Sequence, residues 1–244
     1  MIDLRCHACN EEDSYSQFYW RAQNNKAIPD TYQCLRCEHI FRNFKGDTDN
    51  YHREKYRVQG EEGHEMYPKE ERLRYISTII EQVRPFLDSE MTALEIGSGD
   101  GLFATQIGEH VKSIKCSDID AKMTKKCERL GFEAVNISVL DIDDEDKYDV
   151  IFGFDVLEHV LDIQSFNTKM SAIVNRLLVL QVPIDRTMVP PNERFDGHSH
   201  YFSPKSITSL LAEHFNPKGI YYAPPGTLAR GPELLCIFEK RAPK

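Results

Sequence analysis

Residues 93–103, Ala-Leu-Glu-Ile-Gly-Ser-Gly-Asp-Gly-Leu-Phe, constrain this chain more than any other stretch. An apolar run carrying one acid leads into three glycines separated by single residues, and apolar periodicity resumes at once. That order predicts a buried strand, a tight turn and a helix opening at about Gly101. Glycine is needed where backbone takes positive φ, or lies closer to a ligand than a Cβ permits. The free N–H groups of the helix start then face whatever binds at the turn.

Strands and helices alternate on both sides of it. Apolar residues Leu73, Ile76, Ile79, Ile80, Val83 and Leu87 recur at helical spacing over 68–87, with Pro68 at a tolerated start position. Strands are predicted at 92–96, 113–117, 132–135, 148–153, 176–182, 219–222 and 234–239. Helices are predicted at 101–110, 121–130 and 161–174, and from Ser203-Pro204 to about 214, with serine as N-cap and proline at N1. Residues 141–146 and 184–202 read as loops. This alternation predicts an α/β fold: a mostly parallel sheet with helices on both faces and ligands beyond the C-terminal strand ends.

Residues 1–45 carry Cys6-His7-Ala8-Cys9 and Cys34-Leu35-Arg36-Cys37, two C-x2-C pairs. Such pairs can supply four thiolates tetrahedrally to a structural Zn²⁺, predicting a small zinc-ribbon-like domain with ligands Cys6, Cys9, Cys34 and Cys37. A segment this short buries too little core to fold alone, so the metal would supply folding energy. Four protein ligands leave no open position for catalysis. Polar residues 46–66 read as a connector, and 67–244 as the α/β domain. Tyr51, His52, Tyr56 and His64 read as exposed connector residues. Cys116, Cys127 and Cys236 read as buried thiols.

The totals narrow the function. The chain has 244 residues, 41% hydrophobic and 28% charged, and no apolar run of membrane-spanning length. Its N-terminus lacks the apolar core of a signal peptide, predicting a cytoplasmic location. A net charge of −9 argues against a nucleic-acid partner. Nothing in the sequence sets an oligomeric state.

The glycine loop implies a cofactor, and its context implies which. Asp118 ends the second predicted strand, where an acid accepts both ribose hydroxyls of an adenosine group. That leaves a nicotinamide dinucleotide or S-adenosylmethionine. The dinucleotide fingerprint G-x-G-x-x-G is absent, and the loop reads G-x-G-x-G with Glu95 before it and Asp100 within it. Extra carboxylates repel a pyrophosphate and suit an ammonium and a sulfonium, favouring S-adenosylmethionine.

Glu95-Ile-Gly97-Ser98-Gly99-Asp-Gly101 resembles the first motif of class I S-adenosylmethionine-dependent methyltransferases. Cys116-Ser-Asp118-Ile119-Asp120 is similar to their second acidic motif, and Tyr148-Asp-Val-Ile-Phe-Gly-Phe154-Asp155-Val-Leu-Glu158-His159-Val160 to their fourth-strand signature. The resemblance implies a Rossmann-like seven-stranded sheet whose last strand runs antiparallel. It implies that the glycine turn holds the methionine moiety, Asp118 with Ile119 the ribose, residues around Ser138 the adenine, and that Phe154 and Asp155 lie beside the cofactor.

A narrower resemblance covers both ends. A four-cysteine segment ahead of a methyltransferase is similar to the sugar-modifying methyltransferases of deoxysugar and surface-polysaccharide pathways. Gly197-His198-Ser-His200-Tyr201-Phe202-Ser203-Pro204 resembles their segment after strand five, in which a histidine three places before Tyr-Phe-Ser is the general base. This implies His198 as base, ahead of His200, acting on a small polar acceptor such as a sugar, nucleotide-linked sugar or surface glycan. Glu158 and His159 either cap the next helix or act near the sulfonium. Asp185, Arg186, Arg194 and Asp196 read as solvated loop charges able to bind a polar substrate. Two other functions compete: an RNA or protein methyltransferase gripping its substrate with the knuckles, and a non-catalytic S-adenosylmethionine-binding module.

Overall fold

The computed structural model describes residues 5–12, 14–19, 27–42, 68–184, 198–222 and 233–242. The 46–66 connector and the loop residues Asp185, Arg186, Arg194, Asp196 and Gly197 lie outside them. The chain opens with β1 (Tyr15–Tyr19), β2 (Ala27–Cys34) and β3 (Ile40–Arg42), an antiparallel sheet. Helix α1 (Lys69–Val83) precedes β4 (Thr92–Ile96), α2 (Leu102–Ile107), β5 (Ser113–Asp118), α3 (Ala121–Arg129) and β6 (Glu133–Asn136). Then come β7 (Tyr148–Phe154), α4 (Ile163–Ile173), β8 (Val174–Pro183), β9 (His200–Tyr201), α5 (Pro204–Leu211), β10 (Phe215–Tyr222) and β11 (Glu233–Lys240).

Seven strands form one sheet in the order β10-β11-β8-β7-β4-β5-β6. The five strands from β8 to β6 are parallel, and β11 runs antiparallel to both neighbours. The seven-stranded α/β sheet expected from the sequence is therefore present. The strands read as near-continuous apolar runs because both faces are covered. Alternate residues divide cleanly. Leu94, Ile96, Ile151, Leu178, Leu180, Val182, Leu234 and Cys236 face one layer, built with α4 and α5. Ala93, Val150, Phe152, Leu177, Val179, Leu235 and Ile237 face the other, built with α1, α2 and α3. Helix starts follow the sequence signals. Asp120 caps α3 by accepting from the Lys122 N–H, and Ser203 and Ser206 form a reciprocal capping box at α5.

The segment expected to be a polar loop over 184–202 differs. His200–Tyr201 forms β9, which pairs antiparallel with β3, so the N-terminal sheet has the order β1-β2-β3-β9. The cysteine segment is also packed into the main core: Cys6, Ala8, Cys34 and Cys37 belong to the same buried cluster as Phe202, Ile207 and Leu211. The Ser203 hydroxyl donates to the Cys37 carbonyl (3.2 Å), and the Gln164 amide donates to the His7 carbonyl (2.6 Å). A two-residue strand carries no pattern a sequence can show, because period-2 alternation needs several residues to register.

Candidate active site

The strand order reverses beside β4, with β5 on one side and β7 on the other. Gly97, Gly99 and Gly101 follow β4 at that switch point, with φ of 65°, 54° and 76°. All three lie in the left-handed region, where an L-residue is strained. A Cβ on Gly97 would fall 2.4 Å from Cγ2 of Val156, and one on Gly101 3.1 Å from the Cys127 sulfur. The turn is tied down from three directions. The Ser98 N–H donates to the Ser117 carbonyl (3.0 Å), and the Gly101 N–H to the Ser98 carbonyl (3.0 Å). Asp118 accepts from the Gly99 N–H (2.9 Å) on one oxygen and from the Asp120 N–H (2.8 Å) on the other. The Asn136 amide donates to the Asp118 carbonyl (2.8 Å), joining the ends of β5 and β6. The predicted cofactor residues Glu95, Gly97, Ser98, Gly99, Gly101 and Asp118 thus come together at one end of the sheet. Half-buried Ile119 follows Asp118, and buried Ser138 lies just past β6 at the same end.

Glu95 is buried, and one of its carboxylate oxygens has no hydrogen-bond partner among the described residues. Burial holds its carboxyl well above the usual range, reinforced by Cys127, Asp100 and Asp118 nearby. Asp100 is paired bidentately with Arg72 of α1 at 2.8 Å on each arm. This corrects the electrostatic expectation. The Asp100 charge is neutralised by a partner 28 positions earlier, and burial disfavours charge on Glu95. The loop presents less negative charge than its sequence suggests. Cys127, beneath the turn, lies 3.5 Å from the Ser98 hydroxyl and 3.6 Å from the Gly99 carbonyl.

At the end of β7, Phe154 packs against Phe103 of α2 with ring centroids 4.4 Å apart. Asp155 is a non-glycine residue at φ 55°. Its conformation is held by its own N–H, which donates to the Gln181 carbonyl (3.2 Å). The Gln181 amide in turn donates to Glu233 (2.8 Å), which also accepts from the Tyr75 hydroxyl. This buried network joins α1, β8 and β11 around Asp155. Sequence reasoning missed it, because its members lie up to 158 positions apart.

Past Asp155 the chain forms a single 3₁₀ turn, Leu157–His159. The next helix, α4, is capped by Asp162, which accepts from the Ser165 N–H (2.9 Å). The capping role considered for Glu158 and His159 therefore falls to Asp162. Glu158 is 1% exposed, and its carboxylate lies 3.9 Å from Nε2 of His159. The His159 and His198 rings meet edge-on with centroids 4.7 Å apart, and His198 meets Tyr201 at 5.8 Å. One ligand atom from each of Glu158, His159 and His198 lies within 4.8 Å of the others. The arrangement is fixed from the N-terminal sheet: the Arg42 N–H donates to the Ser199 carbonyl (2.9 Å), and the Ser199 N–H to the Glu158 carbonyl (2.8 Å).

His200 is not brought to this group. It is fully buried at the seam with the cysteine segment, stacked on His39 (5.1 Å) and edge-on to His7 (5.5 Å). Nε2 of His200 lies 3.3 Å from the Leu161 carbonyl. Burial, with His39 and His7 nearby, holds its imidazole well below the usual range. The strand begins only at His200, so two histidines two positions apart end in different surroundings.

The cysteines form a fourth grouping. Cys6 and Cys37 sulfurs are 3.5 Å apart, Cys9 and Cys34 sulfurs 3.7 Å, and all four lie within 4.8 Å of one another. Tetrahedral thiolates at the Zn–S distance stand about 3.8 Å apart, so the set fits that ion. Each pair turns in the same way. Asn10 and Glu38, the residues after the second cysteines, have φ of 57° and 68°. Their N–H groups donate to the Cys6 and Cys34 carbonyls, both at 2.9 Å. The Cys6 thiol is lowered to about 3, first by its hydrogen bond with Cys37, whose own thiol is pushed up.

Comparison with known proteins matches residues 69–216 to the family model described as a methyltransferase domain. The chain belongs to the methyltransferase-domain family. Within it, a ubiquinone biosynthesis O-methyltransferase of Rhodopseudomonas palustris (strain TIE-1) is 30% identical over 87 residues, 33% of this chain and 34% of that protein. The same protein from strain ATCC BAA-98 / CGA009 gives the same figures, so this methyltransferase-family chain spans about a third of the length of those curated relatives. Among solved structures, the N-methyltransferase NodS of Bradyrhizobium japonicum WM9, crystallised with S-adenosyl-L-homocysteine, aligns with a TM-score of 0.62 at 18% identity, covering 80% of this chain and 100% of that one. Magnesium protoporphyrin IX methyltransferase of Synechocystis PCC 6803, also with S-adenosylhomocysteine, gives 0.63 at 14% identity over 80% of this chain and 100% of that one. Both show a shared fold.

Proposed function

We propose that this chain transfers a methyl group from S-adenosylmethionine to a small polar acceptor, a sugar or nucleotide-linked sugar being the class its sequence resembles. The observation that carries the proposal is the glycine turn: three left-handed glycines at alternate positions, pinned to Asp118 at the switch point. A Cβ would fill the space beside two of them, and one buried oxygen of Glu95 has no hydrogen-bond partner among the described residues. Glu95, Gly97, Ser98, Gly99 and Gly101 would hold the methionine part, Asp118 with Ile119 the ribose, Ser138 the adenine, and Phe154 and Asp155 would lie alongside.

The cofactor supplies an activated methyl group, so the protein's task is to align the acceptor, exclude water and manage one proton. Glu158, His159 and His198 stand on the acceptor side in this reading. Val156, two residues before Glu158, packs over Gly97, which links this cluster to the cofactor turn. His198 is the member proposed to take the acceptor's proton. His200 is proposed to hold the seam, its burial leaving it no route to an acceptor. In this reading a Zn²⁺ ion on Cys6, Cys9, Cys34 and Cys37 is structural, fastening the sheet that positions residues 198–201.

Isothermal titration with S-adenosylhomocysteine tests the cofactor assignment, and absence of binding overturns it. Turnover of labelled S-adenosylmethionine against nucleotide sugars and glycans tests the acceptor class. His198→Ala is expected to keep cofactor affinity and lose at least about 100-fold in turnover. Cofactor binding without transfer to any acceptor in the panel would favour a non-catalytic module.

A further inference from the structure

We infer that His39 is a positioning residue joining the four-cysteine site to the segment that carries His198: the edge of its ring holds a cysteine ligand and the face of its ring holds His200. The inference rests on the proposed reading of the cysteines as a Zn²⁺ site.

Three observations carry it. First, His39 reaches both cysteine pairs. Its carbonyl accepts from the Cys34 N–H (2.8 Å), its N–H donates to the Cys37 sulfur, and its Nδ1 lies 3.8 Å from the Cys6 sulfur. Second, its ring is fully buried and lies nearly parallel to two others, His200 (5.1 Å, 14°) and Phe202 (5.1 Å, 23°). Third, its Nε2 has no hydrogen-bond partner among the described residues. These facts assign the tautomer. A metal-bound thiolate has no hydrogen to give, so Nδ1 is the donor. The one hydrogen of a neutral ring is then used on sulfur, and no buried N–H is left without an acceptor.

The residue type follows from the edge of the ring. Phenylalanine stacks as well as histidine, and Phe41 and Phe202 already do so in this cluster. What histidine adds is the N–H. Four thiolates outweigh the two charges of Zn²⁺, and the Cys6, Cys34 and Cys37 sulfurs are withdrawn from water. An N–H aimed at sulfur stabilises that excess charge where solvent does not reach, and it orients the ligand.

The face of the ring carries the effect to the acceptor side. His200 pairs with Phe41 in the β3–β9 ladder, and its Nε2 lies 3.3 Å from the Leu161 carbonyl. The preceding Ser199 N–H donates to the Glu158 carbonyl (2.8 Å). His198, the proposed proton acceptor, is the next residue back. Fixing the His39 ring on the cysteines therefore fixes the surface on which this segment rests.

The test separates edge from face in the full-length chain. His39→Phe keeps the stack and removes the donor. Its zinc affinity, read by competition with a chromophoric chelator, is expected to fall about 10–100-fold. Amide exchange at Ser199 and Tyr201 in saturating Zn²⁺ is expected to match wild type. His39→Asn keeps a side-chain N–H near the place of Nδ1 and removes the stack. It is expected to weaken zinc less than His39→Phe does, and to raise that exchange by about tenfold. His200→Ala removes the stack from the other side and is expected to raise the exchange likewise, which covers a failure of His39→Asn to fold. If His39→Phe held zinc as tightly as wild type, the ring would be filling space only and the inference would be overturned. Unchanged exchange in His39→Asn and His200→Ala overturns it as well. Wild type that binds no zinc removes the zinc assignment and this inference together, whereas wild-type binding with an indifferent His39→Phe removes this inference alone. Neither readout uses the cofactor or an acceptor.

Discussion

Gly97→Ala tests the contact that joins the proposed cofactor turn to the proposed acceptor side. Gly97 has φ 65°, and a Cβ there lands 2.4 Å from Cγ2 of Val156. Two costs follow. An L-residue in the left-handed region costs about 1–2 kcal/mol. Turning Val156 out of its rotamer to clear the new methyl costs a further ~0.5–1.5 kcal/mol. The sum is about 1.5–3.5 kcal/mol. In a domain of this size each kcal/mol lowers Tm by about 2–4 °C, so a fall of roughly 3–14 °C is expected. Gly131→Ala supplies the control: φ is 92°, but nothing lies within 4 Å of its Cβ, so it carries the strain without the clash. Gly97→Ala/Val156→Ala should relieve the clash and keep the strain, with a coupling of about 0.5–1.5 kcal/mol. Scanning calorimetry on these variants, with Val156→Ala to close the cycle, reads the stabilities. Titration with S-adenosylhomocysteine reads function: Gly97→Ala should weaken binding at least about tenfold, a 1.4 kcal/mol loss, and Gly131→Ala should leave it unchanged. If Gly97→Ala melted no lower than Gly131→Ala and bound as wild type, the account of the turn would be wrong.

Three further outcomes are expected. Arg72→Met and Asp100→Asn should couple by about 1–2 kcal/mol in a double-mutant cycle by denaturant unfolding, because the pair is bidentate and only 19% and 25% exposed; additive effects would remove the bridge from the loop's support. Glu95 takes up a proton on folding, since its folded carboxyl titrates above the ordinary 4.5. Cofactor-free wild type should therefore lose stability relative to Glu95→Gln as pH rises above about 4.5, by up to about 1.4 kcal/mol per pH unit until the folded group ionises; parallel melting-temperature profiles would refute the raised value. Cys37→Ser should loosen residues 198–203 as well as the cysteine segment, because Ser203 and β9 dock on it; hydrogen exchange at Ser199 and Tyr201 should rise, and unchanged protection there would refute the coupling.

Most of the candidate cofactor end was legible because its signals are local. A glycine that must take positive φ is written as glycine, and an acid that closes a strand lies within a few residues of the backbone it holds. The run from Glu95 to Gly101, with Asp118 at the end of β5, therefore placed the turn and its acid before any tertiary contact was known. Two buried faces produced near-continuous apolar strands, and these marked the parallel sheet. The paired C-x2-C spacings likewise predicted four converging sulfurs, since each knuckle is a local turn.

Tertiary structure decided what depends on distant partners. Asp100 reads as a free negative charge until Arg72 of α1 is brought beside it. Asp155 reads as a cofactor neighbour, but its left-handed backbone is held by Gln181, in a network reaching Glu233 and Tyr75. The two histidines of the 198–200 segment look equivalent in sequence. Pairing of β9 with β3 separates them, sending His200 to His39 and leaving His198 with His159. That division is invisible in one dimension because it is set by a strand on the far side of the chain. Side-chain neighbours are chosen by which surfaces must leave water together, and sequence spacing reports that choice only within a helix, a strand or a turn.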